Sequence, residues 1–111
     1  MATVASTQVR GEGNRFIWTG LTEADTGSAA TSQMSGDKTV QVSGTFGGGT
    51  VILEGSLDGT NYYTLSDPQG SALTFTSAGI KTVLEAVLFA RPRVTAGTSV
   101  SLTVVLYVRH T

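Results

Sequence analysis

From residue 100 to residue 109 the chain alternates strictly between two kinds of side chain. Val100, Leu102, Val104, Leu106 and Val108 take one phase, and Ser101, Thr103, Val105, Tyr107 and Arg109 take the other. Successive side chains of an extended strand point to opposite faces, so this stretch reads as a long strand with one face in a core. A helix would scatter the same aliphatic groups around its circumference. Each of them contributes roughly 1.5–3 kcal/mol when buried. A chain that ends this way is built from sheet.

The same period recurs upstream. Residues 39–46 place Val40, Val42 and Phe46 inward and Gln41, Ser43 and Thr45 outward. Gly47-Gly48-Gly49 forces a turn, and a strand follows from Thr50 in which Val51, Leu53, Gly55 and Leu57 share a face. Gly44 and Gly55, inside strands, mark bulges or close backbone approach. Asp58-Gly59 signals a hairpin leading into Asn61-Tyr62-Tyr63-Thr64-Leu65, and Asp67-Pro68-Gln69-Gly70 reads as a β-turn. Residues 72–76 form a short strand through Leu73 and Phe75, and residues 89–95 another, which Pro92 puts at a sheet edge or a bulge. Residues 80–88 are open between a helical turn and an extended segment, because Ile80, Val83, Leu84 and Val87 fall at helical spacing in a short, β-branched run. Residues 15–21 form a strand carrying Phe16 and Trp18. Residues 22–37 read as a long loop, and residues 1–14 as an extended N-terminal arm.

These elements predict an all-β protein, a two-sheet β-sandwich or jelly roll of about seven to eight short antiparallel strands. At 111 residues the chain is expected to form one domain over residues 15–111. Charged residues make up 14% of the chain, well below the usual figure of about 25%, and hydroxyls supply much of the polarity. Such a surface is cheaper to desolvate against another protein than a charged one. The net charge of −1 comes with no basic stripe, which argues against a nucleic-acid footprint. No secretory signal is visible, and no apolar run nears the roughly 20 residues of a membrane-spanning helix. The absence of cysteine removes disulfides and thiolate chemistry and fits synthesis in a reducing cytoplasm.

Candidate chemistry is sparse, and no cofactor, metal site or catalytic group is expected. His110 stands one residue from the C-terminus, a poor place for a general base. Asp25, Asp37, Asp58 and Asp67 all fall in expected turns, where local hydrogen bonding explains them better than calcium does. The glycine triplet lacks the Lys and helix of a phosphate loop. Glu54 and Glu85 have the residue types of a glycosidase pair, with nothing to bring them together. Trp18 is expected in the core. Tyr62 and Tyr63 alternate, so one should face solvent or a neighbouring loop, and an exposed one could stack on a sugar or anchor an interface; the alternative is that both pack on adjacent strands. Arg91 and Arg93 share a strand face and could pair with Glu54 or Glu85, or cross a subunit contact. With Arg10 and Arg15, these tyrosines and arginines are the interaction candidates.

The run Phe16-Ile17-Trp18-Thr19-Gly20-Leu21 followed by Asp25-Thr26-Gly27 resembles the opening of a family of small structural proteins of tailed-phage virions. The run from Val51 to Leu65, with Asp67-Pro68-Gln69-Gly70 and Arg91-Pro92-Arg93-Val94, is similar to the same family. The resemblance implies a head decoration, or cement, protein on the outer capsid surface. Its partners would then be the major capsid protein and copies of itself, often as a trimer. Tail, collar or neck positions are the alternative within the virion. The Gly-Ser-x-Asp-Gly-Thr-Asn-aromatic hairpin around Asp58 also resembles discoidin-type galactose-binding-like jelly rolls, which implies glycan contact as a further alternative.

Overall fold

The computed structural model describes residues 3–4, 7–10, 13–31 and 37–109. Among them eleven strands run in the order β1 (Thr3–Val4), β2 (Thr7–Arg10), β3 (Gly13–Leu21), β4 (Thr26–Gly27), β5 (Lys38–Thr45), β6 (Thr50–Ser56), β7 (Tyr63–Thr64), β8 (Thr74–Phe75), β9 (Gly79–Val83), β10 (Phe89–Thr95) and β11 (Ser101–Arg109). Seven have four residues or more, and four are two-residue pairings. They form two sheets, one ordered β1-β4-β10-β6-β7 with β8 also on β6, the other β2-β3-β11-β5-β9. The pairings are antiparallel except β1 with β4, which run parallel. This is the expected two-sheet sandwich.

β11 is the centre of the second sheet, between β3 and β5. Val100, Leu102, Val104, Leu106 and Val108 are all at most 2% exposed. They meet Trp18 and Leu21 from β3, Val40 and Val42 from β5, and Val51, Leu53 and Val94 from the facing sheet, all fully buried in one core. Phe16 and Trp18 stack with ring centres 6.5 Å apart, a geometry that favours aromatic pairs beyond the area they bury. The Trp18 indole N–H donates to the Ser28 carbonyl at 3.0 Å, which pins the following segment against the core.

That segment is not wholly a loop. Residues 26–27 form β4, which pairs with β10 and β1, and Ala30 exchanges backbone hydrogen bonds with Ala90. Asp25 shapes its entry by accepting from the Thr22 backbone N–H and hydroxyl, both at 2.9 Å. Residues 32–36 of the expected loop lie outside the described residues. In the expected arm, residues 3–4 and 7–10 form β1 and β2, extended strands hydrogen-bonded to β4 and β3, and Gly13 and Asn14 already belong to β3.

The structure decides two readings left open, and one expectation needs correction. Residues 80–88 contain no helical turn: Gly79–Val83 pairs along β5 as an edge strand, with Val83 buried and Ile80 64% exposed. Pairing overrides a spacing that periodicity left ambiguous. Pro92 does not lie at a sheet edge, because β10 runs between β4 and β6. Its missing N–H falls between the hydrogen bonds that Val94 and Ala90 make to Asp25 and Ala30, where the register of the partner slips by one residue. Gly27 sits there because any Cβ would come within 2.7 Å of the proline ring and of the Trp18 indole. Leu57, expected on the core face, is 66% exposed because β6 ends at Ser56.

The glycine triplet turns the chain from one sheet to the other, since β5 and β6 belong to different sheets. Gly47 and Gly48 have φ of +56° and +78°, and the Gly49 N–H donates to the Phe46 carbonyl at 2.8 Å. Gly44 has φ of +118°, and a Cβ there would collide with the Ser101 carbonyl, whereas one at Gly48 would meet nothing. Gly48→Ala should therefore cost about 1 kcal/mol, the penalty of a positive φ alone, and Gly44→Ala distinctly more. Urea midpoints of the two variants check this order.

Candidate functional site

Two neighbouring features collect most of the candidate residues. The first is on the outer face of the first sheet. Alternation along β10 turns Ala90, Pro92 and Val94 inward and Arg91 and Arg93 outward, and β6 places Glu54 opposite Arg91. Arg91 Nε donates to Glu54 Oε1 at 2.7 Å and Arg93 Nε to Oε2 at 3.2 Å. The Arg91 guanidinium also lies over the Tyr62 ring, 3.7 Å from its centre, a cation–π contact. Glu54 is 5% exposed beside the two guanidiniums. Of the pairings left open in the sequence, both arginines take Glu54.

Glu85 belongs elsewhere. Its Oε1 accepts the Ser66 backbone N–H at 2.7 Å, and it lines the second feature, an open cleft of about 390 Å³ beneath the β6–β7 hairpin. Gly55, Leu65 and Val87 form the apolar floor; Leu57 and Tyr63 form the lip; Asn61, Thr64 and Glu85 add polar groups. Gly55 keeps this floor open, since a Cβ there would reach within 2.9 Å of Leu65 and 3.0 Å of Val87. Tyr62 and Tyr63 point to opposite sides, as alternation requires: Tyr62 is half-buried against Arg91 and Tyr63 is 72% exposed. The expectation that one tyrosine faces solvent holds, and the alternative that both pack on strands does not.

The hairpin itself is held by Asp58. Asp58-Gly59 is not a tight two-residue turn but part of a longer loop between β6 and β7. Asp58 Oδ1 accepts from the backbone N–H groups of Thr60 and Asn61 at 2.8 and 2.9 Å and from the Ser56 hydroxyl at 2.8 Å. Oδ2 accepts from Asn61 Nδ2 at 2.8 Å. The Asn61 and Thr60 amides, then the Asn61 and Ser56 side chains, hold the Asp58 carboxyl well below the usual carboxylate range. Gly59 supplies the positive φ, +79°, and rests against the Phe89 ring.

The other acids serve the same end. Asp67 Oδ1 accepts from the Gln69 and Ser71 N–H groups, both at 3.0 Å, and closes the expected turn, whose Gly70 N–H donates to the Asp67 carbonyl at 2.9 Å. Asp37 pairs with the Arg109 guanidinium at 2.6 Å on the surface. Glu23 accepts from the Val100 N–H at 3.1 Å, and backbone hydrogen bonds hold its carboxyl below the usual range. Lys38 is 3% exposed at the start of β5, and burial lowers its pKa against the opposing pull of Asp37. Among the described residues no three His, Cys, Asp or Glu side chains come together as a metal-binding group.

The remaining candidates stand apart. Arg15 is exposed on β3, paired with Tyr107 on the second sheet. Arg10 lies in β2, with its side chain outside the described residues, as is His110. The cleft was not legible in the sequence, because its floor comes from three separate segments; the one available signal was the paired tyrosines after Asp58-Gly59.

Three outcomes follow. Glu54→Ala strips the partner from two guanidiniums and should cost about 1–3 kcal/mol, since both arginines can still turn to water. Asp37→Ala removes an exposed pair and should cost below about 1 kcal/mol; guanidinium chloride unfolding ranks them. Because the folded pKa of Asp58 is depressed, its contribution is fully present above the unfolded value of about 3.9 and is lost as pH falls through the folded one. Stability of the native protein should therefore drop on acidification below about pH 4 more steeply than that of Asp58→Asn, measured by thermal melts across pH.

No protein-family model and no curated protein sequence matches the chain. Among solved structures, the crystal structure of SPBc2 prophage-derived protein YomS is similar to it, with a TM-score of 0.68 at 14% identity over 92% of this chain and 98% of that one. At that identity the likeness is one of fold, and it extends through nearly the whole of both chains.

Proposed function

We propose that the chain is a structural protein of a tailed-phage virion, and within the virion a decoration protein that binds the outer capsid non-covalently and stabilises the lattice. The observation that carries this reading is the end-to-end fold likeness to a prophage-derived protein, to which the sequence resemblance adds the decoration role. The chemistry of the described residues is in keeping with it. The acids are spent on loops and on the Glu54 cluster, so the molecule invests its polar groups in holding shape.

Self-association belongs to the same reading, with a trimer favoured. The outer face of the second sheet carries Ile17, Val105, Gln41 and Ile80 in a row across four paired strands, next to Tyr107 and Thr39. An apolar and hydroxyl-bearing face of this kind desolvates at low cost. Three linked copies would raise one another's effective concentration at neighbouring capsid sites.

Light scattering of the purified protein should give a trimer, and virion gels should show copies in proportion to capsid lattice sites. Particles lacking the protein should lose heat or osmotic resistance. A handful of copies per particle would place it in the tail, collar or neck instead, and absence from purified virions would end the virion reading altogether.

A further inference from the structure

We propose that the cleft beneath the β6–β7 hairpin binds an uncharged pyranose ring, the terminal sugar of a glycan. The inference does not depend on the virion reading, because it rests on the cleft alone.

Size comes first. At about 390 Å³ the cleft lies at the small end of the range for ligand sites. One monosaccharide ring fits that scale better than a peptide or a nucleotide.

The distribution of polarity comes second. A pyranose has an apolar C–H face and a rim of hydroxyls, so its site needs a flat apolar surface beside unspent hydrogen-bonding groups. Tyr63 offers the surface: its ring is 72% exposed at the lip, and the half-buried Tyr62 beside it is already occupied by Arg91. Leu57, 66% exposed, and the floor of Leu65 and Val87 continue the apolar strip. An exposed tyrosine beside an exposed leucine gives the fold nothing, while a stacked ring would cover both.

Around that strip stand groups the fold leaves available. Asn61 donates its Nδ2 to Asp58, which orients its carbonyl oxygen as an acceptor. Glu85 uses Oε1 on the Ser66 amide, leaving Oε2 for a second donor. The Asp58 network holds the loop that carries Asn61, so that acceptor is fixed before a ligand arrives. Preorganisation of this kind raises affinity by reducing the ordering cost of binding.

Charge decides between ligand classes. The cleft is lined by the acidic residues Asp58 and Glu85 and by no lysine or arginine. A phosphate or an acidic sugar would meet repulsion without a counter-ion. A neutral sugar, whose hydroxyls donate to carboxylates, suits it.

The test is amide and side-chain NMR of the whole protein titrated with methyl glucoside, methyl galactoside, methyl mannoside, N-acetylglucosamine and methyl glucuronide. The expected result is saturable shifts at Asn61, Tyr63, Thr64 and Glu85 with at least one neutral sugar, in the millimolar range. Tyr63→Ala should weaken that binding by about tenfold or more, equivalent to about 1.4 kcal/mol, with an unchanged melting temperature. Thr98→Ala, in the exposed turn between β10 and β11, should bind as the native protein does. The glucuronide should bind more weakly than its neutral counterpart, and Glu85→Gln should narrow that gap. No shifts with any neutral sugar, full binding by Tyr63→Ala, or tighter binding of the glucuronide would each overturn the proposal.

Discussion

The structure depends on a single strip of aliphatic side chains along β11. Val100, Leu102, Val104, Leu106 and Val108 run through the middle of the second sheet and are sealed by the first. Slipping β11 by one residue would turn Ser101, Thr103, Tyr107 and Arg109 to the core along with Val105, and would expose the five aliphatic side chains of the strip. Register along β3 and β5 is therefore set by the cost of that exchange, and both strands carry their own buried residues, Trp18 and Leu21 on one and Val40 and Val42 on the other. The sandwich closes because β6 and β10 present Val51, Leu53 and Val94 to the same strip.

Several chain reversals outside the strip are held by hydrogen bonds to carboxylates. Asp25, Asp58 and Asp67 each gather local N–H groups, and Glu23 ties the segment after β3 to the start of β11. These acids stabilise chain reversals that hydrophobic burial cannot specify, because a loop on the surface has little apolar area to hide. Glu54 is a different case. It is taken out of water and compensated by two guanidiniums, and the Tyr62 ring packed on one of them helps to hold this part of the outer face in place. The cleft lies just beyond this locked region, where β6 ends and the sheet narrows to two-residue pairings.

Much of the fold was legible in advance, and the reasons are local. Period-two alternation in β5, β10 and β11 and the turn at Asp67-Pro68 are short-range signals that survive folding. Residues 80–88 were ambiguous because four apolar side chains satisfied two periods at once, and pairing with β5 settled them. Pro92 was ambiguous between a sheet edge and a bulge, since either would spare its missing donor; the register slip of its partner accommodates it inside the sheet. β4 was invisible, since two residues among small and polar ones carry no period. The candidate site divided in the same way. The shared face of Arg91 and Arg93 and the alternation of the tyrosines could be read, but the choice of Glu54 over Glu85 as their partner and the floor of the cleft could not.

By itself, then, the sequence determined which residues would be extended, which of their faces would be apolar, and where most reversals would fall. These are properties of the nearest few side chains. Only the tertiary structure decided which sheet each strand joins, which of two acids neutralises the arginines, and which tyrosine is left in solvent beside a cleft. Those outcomes arise where segments distant in sequence meet, and they are fixed by packing and charge compensation that no single segment contains.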